Sequence, residues 1–186
     1  GVALARSNDH RIADTWVADC GDPYMGADMD TFKKMFYFKY LEKYFCRKAD
    51  VITVPIEGAK EAYYPEFRNK IKVIPQGFNF DEIPIDTNAY IQNEIPTFAY
   101  AGGFIPGMRD PRPFLDTLLE IDRPWKFIIY TRDERLVNKY VNMAEGKIET
   151  RDYIPRPVLL KTLSEIDFLV NFENSSSMMM PSKLID

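Results

Sequence analysis

The sequence predicts an α/β protein whose parallel sheets are flanked by helices. Three observations carry that expectation. Short β-branched and aromatic runs alternate with longer amphipathic runs along nearly the whole chain. Glycine or proline stands at the carboxyl end of several of the strand-like runs, as in IKVIPQG and TFAYAGG. No internal repeat appears, and the only low-complexity tract is SSSMMM.

The elements follow in order. TWVADCGDPY (15–24) reads as a strand running into a turn. Residues 30–49, DTFKKMFYFKYLEKYFCRKA, read as a long helix that Asp30 is placed to cap. DVITVP is a compact strand, IEGAKEAYYPEF a helix and IKVIPQGF another strand. Residues 81–95 carry no clear period and read as a linker. Beyond it TFAYAGG (97–103), WKFIIYT, KIETRDYI and DFLVNF (167–172) are strands. Between them lie the helices PRPFLDTLLEI, DERLVNKYVNMAEG and PRPVLLKTLSEI, and PSKLID opens one more. The strand–helix alternation implies βαβ crossovers. The division expected is 1–80, 81–95 and 96–186. Four strands and a helix start are fewer than a doubly wound domain of about six strands holds, so the sequence reads as truncated. An uncovered sheet edge would then favour dimerisation.

Bulk properties narrow the function classes. A net charge of −4 argues against bulk affinity for nucleic acid. Cys20 and Cys46 are too few for a disulfide framework and form no metal-ligand cluster, and His10 is the lone histidine. No apolar run approaches the roughly 20 residues that span a bilayer, and GVALARSNDH lacks a leader's apolar core. The expected compartment is the cytoplasm. The segment 32–48 is aromatic and basic, which suits either burial or contact with a membrane surface.

Ligands of open α/β sheets bind at the carboxyl ends of the strands. In the second half these ends are Gly102-Gly103 with the loop to Arg112, Thr131-Arg132, Tyr153-Ile154-Pro155, and residues 174–183. The loop GGFIPGMRDPR is a poor dinucleotide fingerprint, because prolines 106, 111 and 113 delay the helix. An acidic residue is also missing from the end of the second strand, which weighs against an NAD(P)-dependent oxidoreductase. Glycines there let backbone approach a ligand, and Arg109 offers a bidentate donor to a phosphate. The alternative for Arg109 is a turn cap or a pair with Asp110. In the last loop Ser175, Ser176, Ser177, Ser182 and Lys183 cluster at a helix start, where backbone N–H groups favour an anion. Asp186 stands one turn further in, placed to accept from ribose hydroxyls. Met178, Met179 and Met180 read as core. Asp28-Met29-Asp30 matches a metal-binding DxD, but Asp30 as a helix cap is the simpler use. A non-catalytic interaction module is a further alternative.

The ordered stretches KADVITVP, KIKVIPQGFNFDE, TFAYAGG, RDPRPFLDTL, WKFIIYT, KIETRDYIP, LLKTLSEIDFLVNFEN and PSKLID resemble the family-4 type of retaining glycosyltransferase. The resemblance runs from Trp16 onward and implies the GT-B architecture of two Rossmann-like domains. The present chain would then hold the C-terminal part of the acceptor-side domain and an incomplete donor-side domain. It implies a transfer of sugar from a nucleotide-diphosphate donor to a saccharide or lipid-linked acceptor. The setting it implies is bacterial surface-polysaccharide synthesis, with contact at the inner face of the membrane. By the resemblance, Arg109 and Lys183 meet the donor diphosphate, and the loop glycines Gly102 and Gly103 and the helix-start Ser182 read above belong to the same donor site. Asp186 meets the ribose, the backbone at Tyr153 and Ile154 meets the base, and Asp22 lies near the transferred sugar. Same-face attack implies no covalent nucleophile, no metal and no cofactor beyond the donor. The sequence departs from the family at two points. Met178 stands where the first acid of E-x7-E is usual, and Asp186 replaces the second glutamate.

Overall fold

The structure, a computed structural model, describes Ala3, residues 14–21, 23–25 and 34–77, Asn79, Asp81 and residues 90–172. The chain divides into two compact units after Gly77.

The first unit holds a parallel sheet of three strands in the order β1 (Val17–Asp19), β2 (Val51–Val54), β3 (Ile71–Val73). Val17 pairs with Val51, and Ile52 with Ile71. Between β1 and β2 runs α1 (Phe38–Lys48), and between β2 and β3 lie α2 (Glu57–Ala62) and a 3-10 turn (Pro65–Lys70). Ala18, Cys46, Ala49, Ile52, Val54, Ala59, Tyr63, Phe67 and Ile71 form its core. Lys70 closes the end of α1: its ammonium donates to the carbonyls of Ala49 at 2.9 Å and Arg47 at 3.1 Å. A cation there complements the negative end of the helix.

Two helices differ from their expected spans. α1 begins at Phe38 rather than near Asp30, which lies outside the described residues. Phe36, Tyr37 and Phe38 form a consecutive aromatic run whose rings pack edge-on, 36 to 37 at 5.7 Å and 37 to 38 at 4.6 Å. Aromatic side chains lose rotamer freedom in a helix, and this run forms a turn leading into one. The run expected as one helix from Ile56 to Phe67 is broken at Tyr63-Tyr64, because Pro65 disfavours helical backbone in the residue before it.

The second unit holds a parallel sheet in the order β6-β5-β4-β7, from β4 (Thr97–Ala101), β5 (Lys126–Tyr130), β6 (Ile148–Arg151) and β7 (Phe168–Leu169). The crossovers carry α3 (Arg112–Leu119), α4 (Asn138–Met143) and α5 (Arg156–Leu163). Leu115, Phe127, Ile129 and Val137 are fully enclosed in its core, beside Tyr100, Leu118, Trp125, Tyr140 and Ile148. Strand β7 is shorter than the expected 167–172. After Val170 donates to the Ala99 carbonyl at 2.8 Å, the chain turns Phe172 against Tyr100 and Phe114, at 4.8 and 5.6 Å. Helix α4 starts at Asn138 rather than Asp133, because the Asp133 carboxylate accepts the Arg135 N–H at 3.1 Å and holds a turn first.

This is the α/β class expected from the sequence, with Rossmann-like parallel sheets. In strand sequence, the second sheet reads third, second, first, fourth. The chain therefore winds one way from β4 to β6 and then crosses back to β7. In sheets of this kind such a reversal leaves a crevice outside the carboxyl ends of the two strands on either side of it, here β4 and β7.

Candidate functional site

The loop leaving β4 is set by local chemistry. Ile105, Pro106, Gly107 and Met108 form a type II turn closed by the Met108 N–H on the Ile105 carbonyl at 3.1 Å. Proline presets the first central position, and Gly107 supplies the positive φ (+75°) the second requires. Ile105 and Arg109 then exchange backbone hydrogen bonds of 3.1 and 2.8 Å. The turn therefore places Arg109 back beside the strand end. Its guanidinium lies near the hydroxyl of Tyr100, whose ring is buried in β4. Burial pushes the Tyr100 hydroxyl up, and the positive charge of Arg109 opposes that shift. The same hydroxyl donates to the Gly103 carbonyl at 2.9 Å.

Asp110 has other partners. Its carboxylate accepts from the Arg112 side chain at 2.8 Å and from the Arg112 N–H at 3.1 Å, and these bonds hold it well below the usual carboxylate range. The first turn of α3 thus already carries an anion of the protein's own. The two glycines also differ. Gly102 donates its N–H to the Tyr130 carbonyl at 2.9 Å and so extends the β4–β5 ladder. Gly103 is exposed, and a side-chain carbon added there would meet nothing within 4 Å.

Around the rest of this edge, the exposed ring of Tyr153 follows β6 and the guanidinium of Arg132 lies over it at 4.5 Å. Ile154 beside it is half-buried. Thr131, buried at the end of β5, donates its N–H to the Arg151 carbonyl at 3.1 Å. Phe104 and Phe172 pack against Tyr100 at 5.0 and 4.8 Å. The edge therefore combines two arginines, an exposed aromatic face and an open glycine. That set can hold an anion at Arg109 and a flat ring at Tyr153.

Of the residues singled out from the sequence, Gly102, Gly103, Arg109, Tyr153 and Ile154 all lie on this carboxyl edge. Asp22, Ser182, Lys183 and Asp186 lie outside the described residues, as do the DxD triplet and residues 174–180. Sequence reasoning did not find Tyr100 as the support of Arg109, nor the contact between Arg132 and Tyr153. The signal for the first was the tyrosine placed one residue before the end of a buried strand.

In the first unit the carboxyl end of β1 leads into a separate cavity of about 310 Å³, lined by Cys20, Tyr24, Phe38, Leu41, Glu42, Phe45 and Tyr63. Its walls are mainly apolar. The Glu42 carboxylate accepts the backbone N–H of Tyr24 at 2.7 Å and of Met25 at 3.3 Å. Burial pushes the thiol of Cys20 and the hydroxyl of Tyr63 upward, so both stay protonated at neutral pH.

No family model and no curated protein matches the chain. Among solved structures, a glycosyltransferase from Rickettsia africae ESF-5 is similar over 94% of this chain and 48% of its own, with a TM-score of 0.63 and 11% identity. The apo form of the lipopolysaccharide outer core galactosyltransferase WaaB is similar over 66% of this chain and 36% of its own, with a TM-score of 0.47 and 16% identity. The present chain thus spans less than half the length of either. At such identities the likeness is one of fold alone, an α/β fold with parallel sheets shared with part of the Rickettsia protein.

Proposed function

We propose that this chain forms part of a glycosyltransferase that moves a sugar from a nucleotide-diphosphate donor to a saccharide or lipid-linked acceptor. One observation carries the reading: the third-second-first-fourth strand order puts the reversal between β4 and β7, where ligands of such sheets bind, and the turn after β4 brings Arg109 beside the Tyr100 hydroxyl there. The shared fold with the Rickettsia glycosyltransferase supports it.

In this reading the second unit takes the donor. Arg109 meets the diphosphate, Gly103 gives the phosphates room to approach backbone, and the Tyr153-Ile154 segment meets the base. Lys183, with Ser182 and the helix start expected from the sequence PSKLID, adds positive field, and Asp186 accepts from the ribose. As the bond from anomeric carbon to phosphate oxygen breaks, negative charge grows on the diphosphate. Donors fixed beforehand around that charge stabilise the transition state. The acceptor hydroxyl attacks from the face the leaving group departs, loses its proton to the departing phosphate, and configuration is retained. No metal enters this scheme. The first unit belongs to the acceptor side, with Asp22 near the transferred sugar, and the product belongs to bacterial surface-polysaccharide synthesis.

The test is thermal stability against UDP, GDP, ADP and CMP, for the natural chain and for Arg109→Ala. A nucleotide present at about 100 times its dissociation constant adds roughly 2.7 kcal/mol. The expected result is one stabilising nucleotide diphosphate whose effect Arg109→Ala removes. Stabilisation by NAD(P) alone overturns the reading. Transfer that stops with chelator and returns with Mn²⁺ overturns the metal-free scheme.

A further inference from the structure

We propose that the cavity at the carboxyl end of β1 binds a small quaternary ammonium ion, with the Glu42 carboxylate as its counter-ion and aromatic rings as its walls. The inference stands on the first unit alone and does not rest on the transfer reaction proposed above.

Glu42 is a charge in an apolar place. It is only 8% exposed, on the side of α1 that also carries buried Cys46 and half-buried Phe38 and Phe45. Buried carboxylates are ordinarily neutralised by a cation or coordinate a metal. Glu42 forms no ion pair among the described residues, and no cluster of metal-ligating side chains surrounds it there. Its bonds to the backbone N–H groups of Tyr24 and Met25 orient the carboxylate without cancelling its charge. Nearby cations are turned elsewhere. Lys43 pairs with Glu66 at 2.6 Å, and the Lys34 ammonium donates to the Met25 carbonyl at 3.2 Å. The charge is felt by the surrounding groups: after desolvation, it is the next cause that pushes up the Cys46 thiol and the Tyr64 hydroxyl. The cavity therefore carries a standing negative potential.

The walls select the kind of cation. Tyr24, Phe38, Phe45 and Tyr63 all line the cavity beside the carboxylate. Tyr24 and Phe38 meet nearly at right angles with ring centres 5.2 Å apart, and Trp16 packs edge-on against Phe45 at 5.4 Å. Aromatic faces attract a cation, most strongly where water is excluded. A primary ammonium is strongly hydrated and needs several acceptors, whereas this lining is mainly aromatic and aliphatic carbon around one carboxylate. A quaternary ammonium spreads its charge over methyl groups that pack on rings, so it loses little on entry. At about 310 Å³ the cavity is of small-ligand size. Tyr24 and Leu41 are its exposed members and Glu42 and Tyr63 its buried ones, which puts the negative charge at the closed end.

The experiment is an NMR titration of the chain with choline and with neohexyl alcohol, the neutral isostere in which tert-butyl replaces trimethylammonium. Choline should bind saturably and about tenfold or more tighter than the alcohol, and ethanolamine should displace it about tenfold or more less effectively. Glu42→Gln keeps the oxygen that accepts both backbone N–H groups and removes only the charge, so it should abolish the preference for choline over the alcohol. Phe38→Leu keeps an apolar wall and removes one ring. It should weaken choline about three- to tenfold and leave the alcohol within about twofold. An unchanged circular dichroism spectrum establishes that each variant is folded, and the Phe38→Leu comparison decides alone if Glu42→Gln does not fold. Each of these results overturns the proposal: no saturable binding of choline, equal binding of the alcohol, ethanolamine binding as tightly as choline, a choline preference that survives Glu42→Gln, or a choline affinity unmoved by Phe38→Leu.

Discussion

The carboxylate of Asp167 accepts the backbone N–H of Thr97 at 2.8 Å across 70 residues of sequence. Its other oxygen takes the Tyr90 hydroxyl at 2.7 Å and the Asn93 N–H at 3.0 Å. One side chain thus ties the entrance of β4 to the entrance of β7, at the end of the sheet opposite the crevice. The Asn93 N–H first, then the Thr97 N–H and the hydroxyl, hold this carboxyl down to about 2. A folded value below the unfolded one, near 4, adds stability at neutral pH that is lost as pH falls from about 4 towards 2. Asp167→Ala should therefore lower the melting temperature at pH 7, and the gap to the natural chain should narrow at pH 3. Melting curves at the two pH values check this.

Leu115 is fully buried on α3 against the sheet of the second unit. Leu115→Ala should cost about 2–5 kcal/mol, the range for an aliphatic side chain removed from a closed core. Urea denaturation measures it, with the slope unchanged and the midpoint lowered.

Gly107 and Gly103 stand four residues apart and should respond differently to alanine. Neither has an atom within 4 Å of the added carbon, so sterics from neighbours play no part. Gly107 sits at φ +75°, where an L side chain costs about 1–2 kcal/mol through its own backbone. Gly103→Ala should change stability by less than about 0.5 kcal/mol. If nucleotide diphosphates bind where proposed, both changes should also weaken that binding. Thermal melts with and without nucleotide separate the two effects.

Desolvation pushes the Cys46 thiol up to about 12, helped by the nearby carboxylate of Glu42. At about pH 8 roughly one such thiol in ten thousand is thiolate, and the side chain is also closed to solvent. Native Cys46 should therefore resist Ellman's reagent while the unfolded chain reacts at both cysteines. Mass spectrometry of the labelled peptides distinguishes Cys46 from Cys20.

The alternation of strand and helix was legible because periodicity and turn residues are local. TFAYA, KFIIY and IETR each announce a strand within five residues. Helix starts were less legible: Phe36 and Tyr37 have helical spacing around them but form a turn ahead of Phe38. The strand order was not legible at all, since nothing near Phe168 says that it lies beside Phe98 rather than beyond β6. At the site, sequence brought Arg109 forward by its place after a strand. Its tie to Tyr100 depends on the reversal at Pro106-Gly107 folding the chain back nine residues. Arg132 and Tyr153 meet only because β5 and β6 end side by side.

Strand β7 joins the sheet through only two register pairs, Phe98 with Phe168 and Ala99 with Leu169. Its ladder is extended by the Val170 amide on Ala99. Every other neighbouring strand in this sheet is closer in sequence and longer in register. Contacts that close long loops form late and open first. One wall of the crevice therefore has the lowest local free energy of opening in its sheet, and a ligand seated there would slow amide exchange at Val170 well before it changed the exchange of β5.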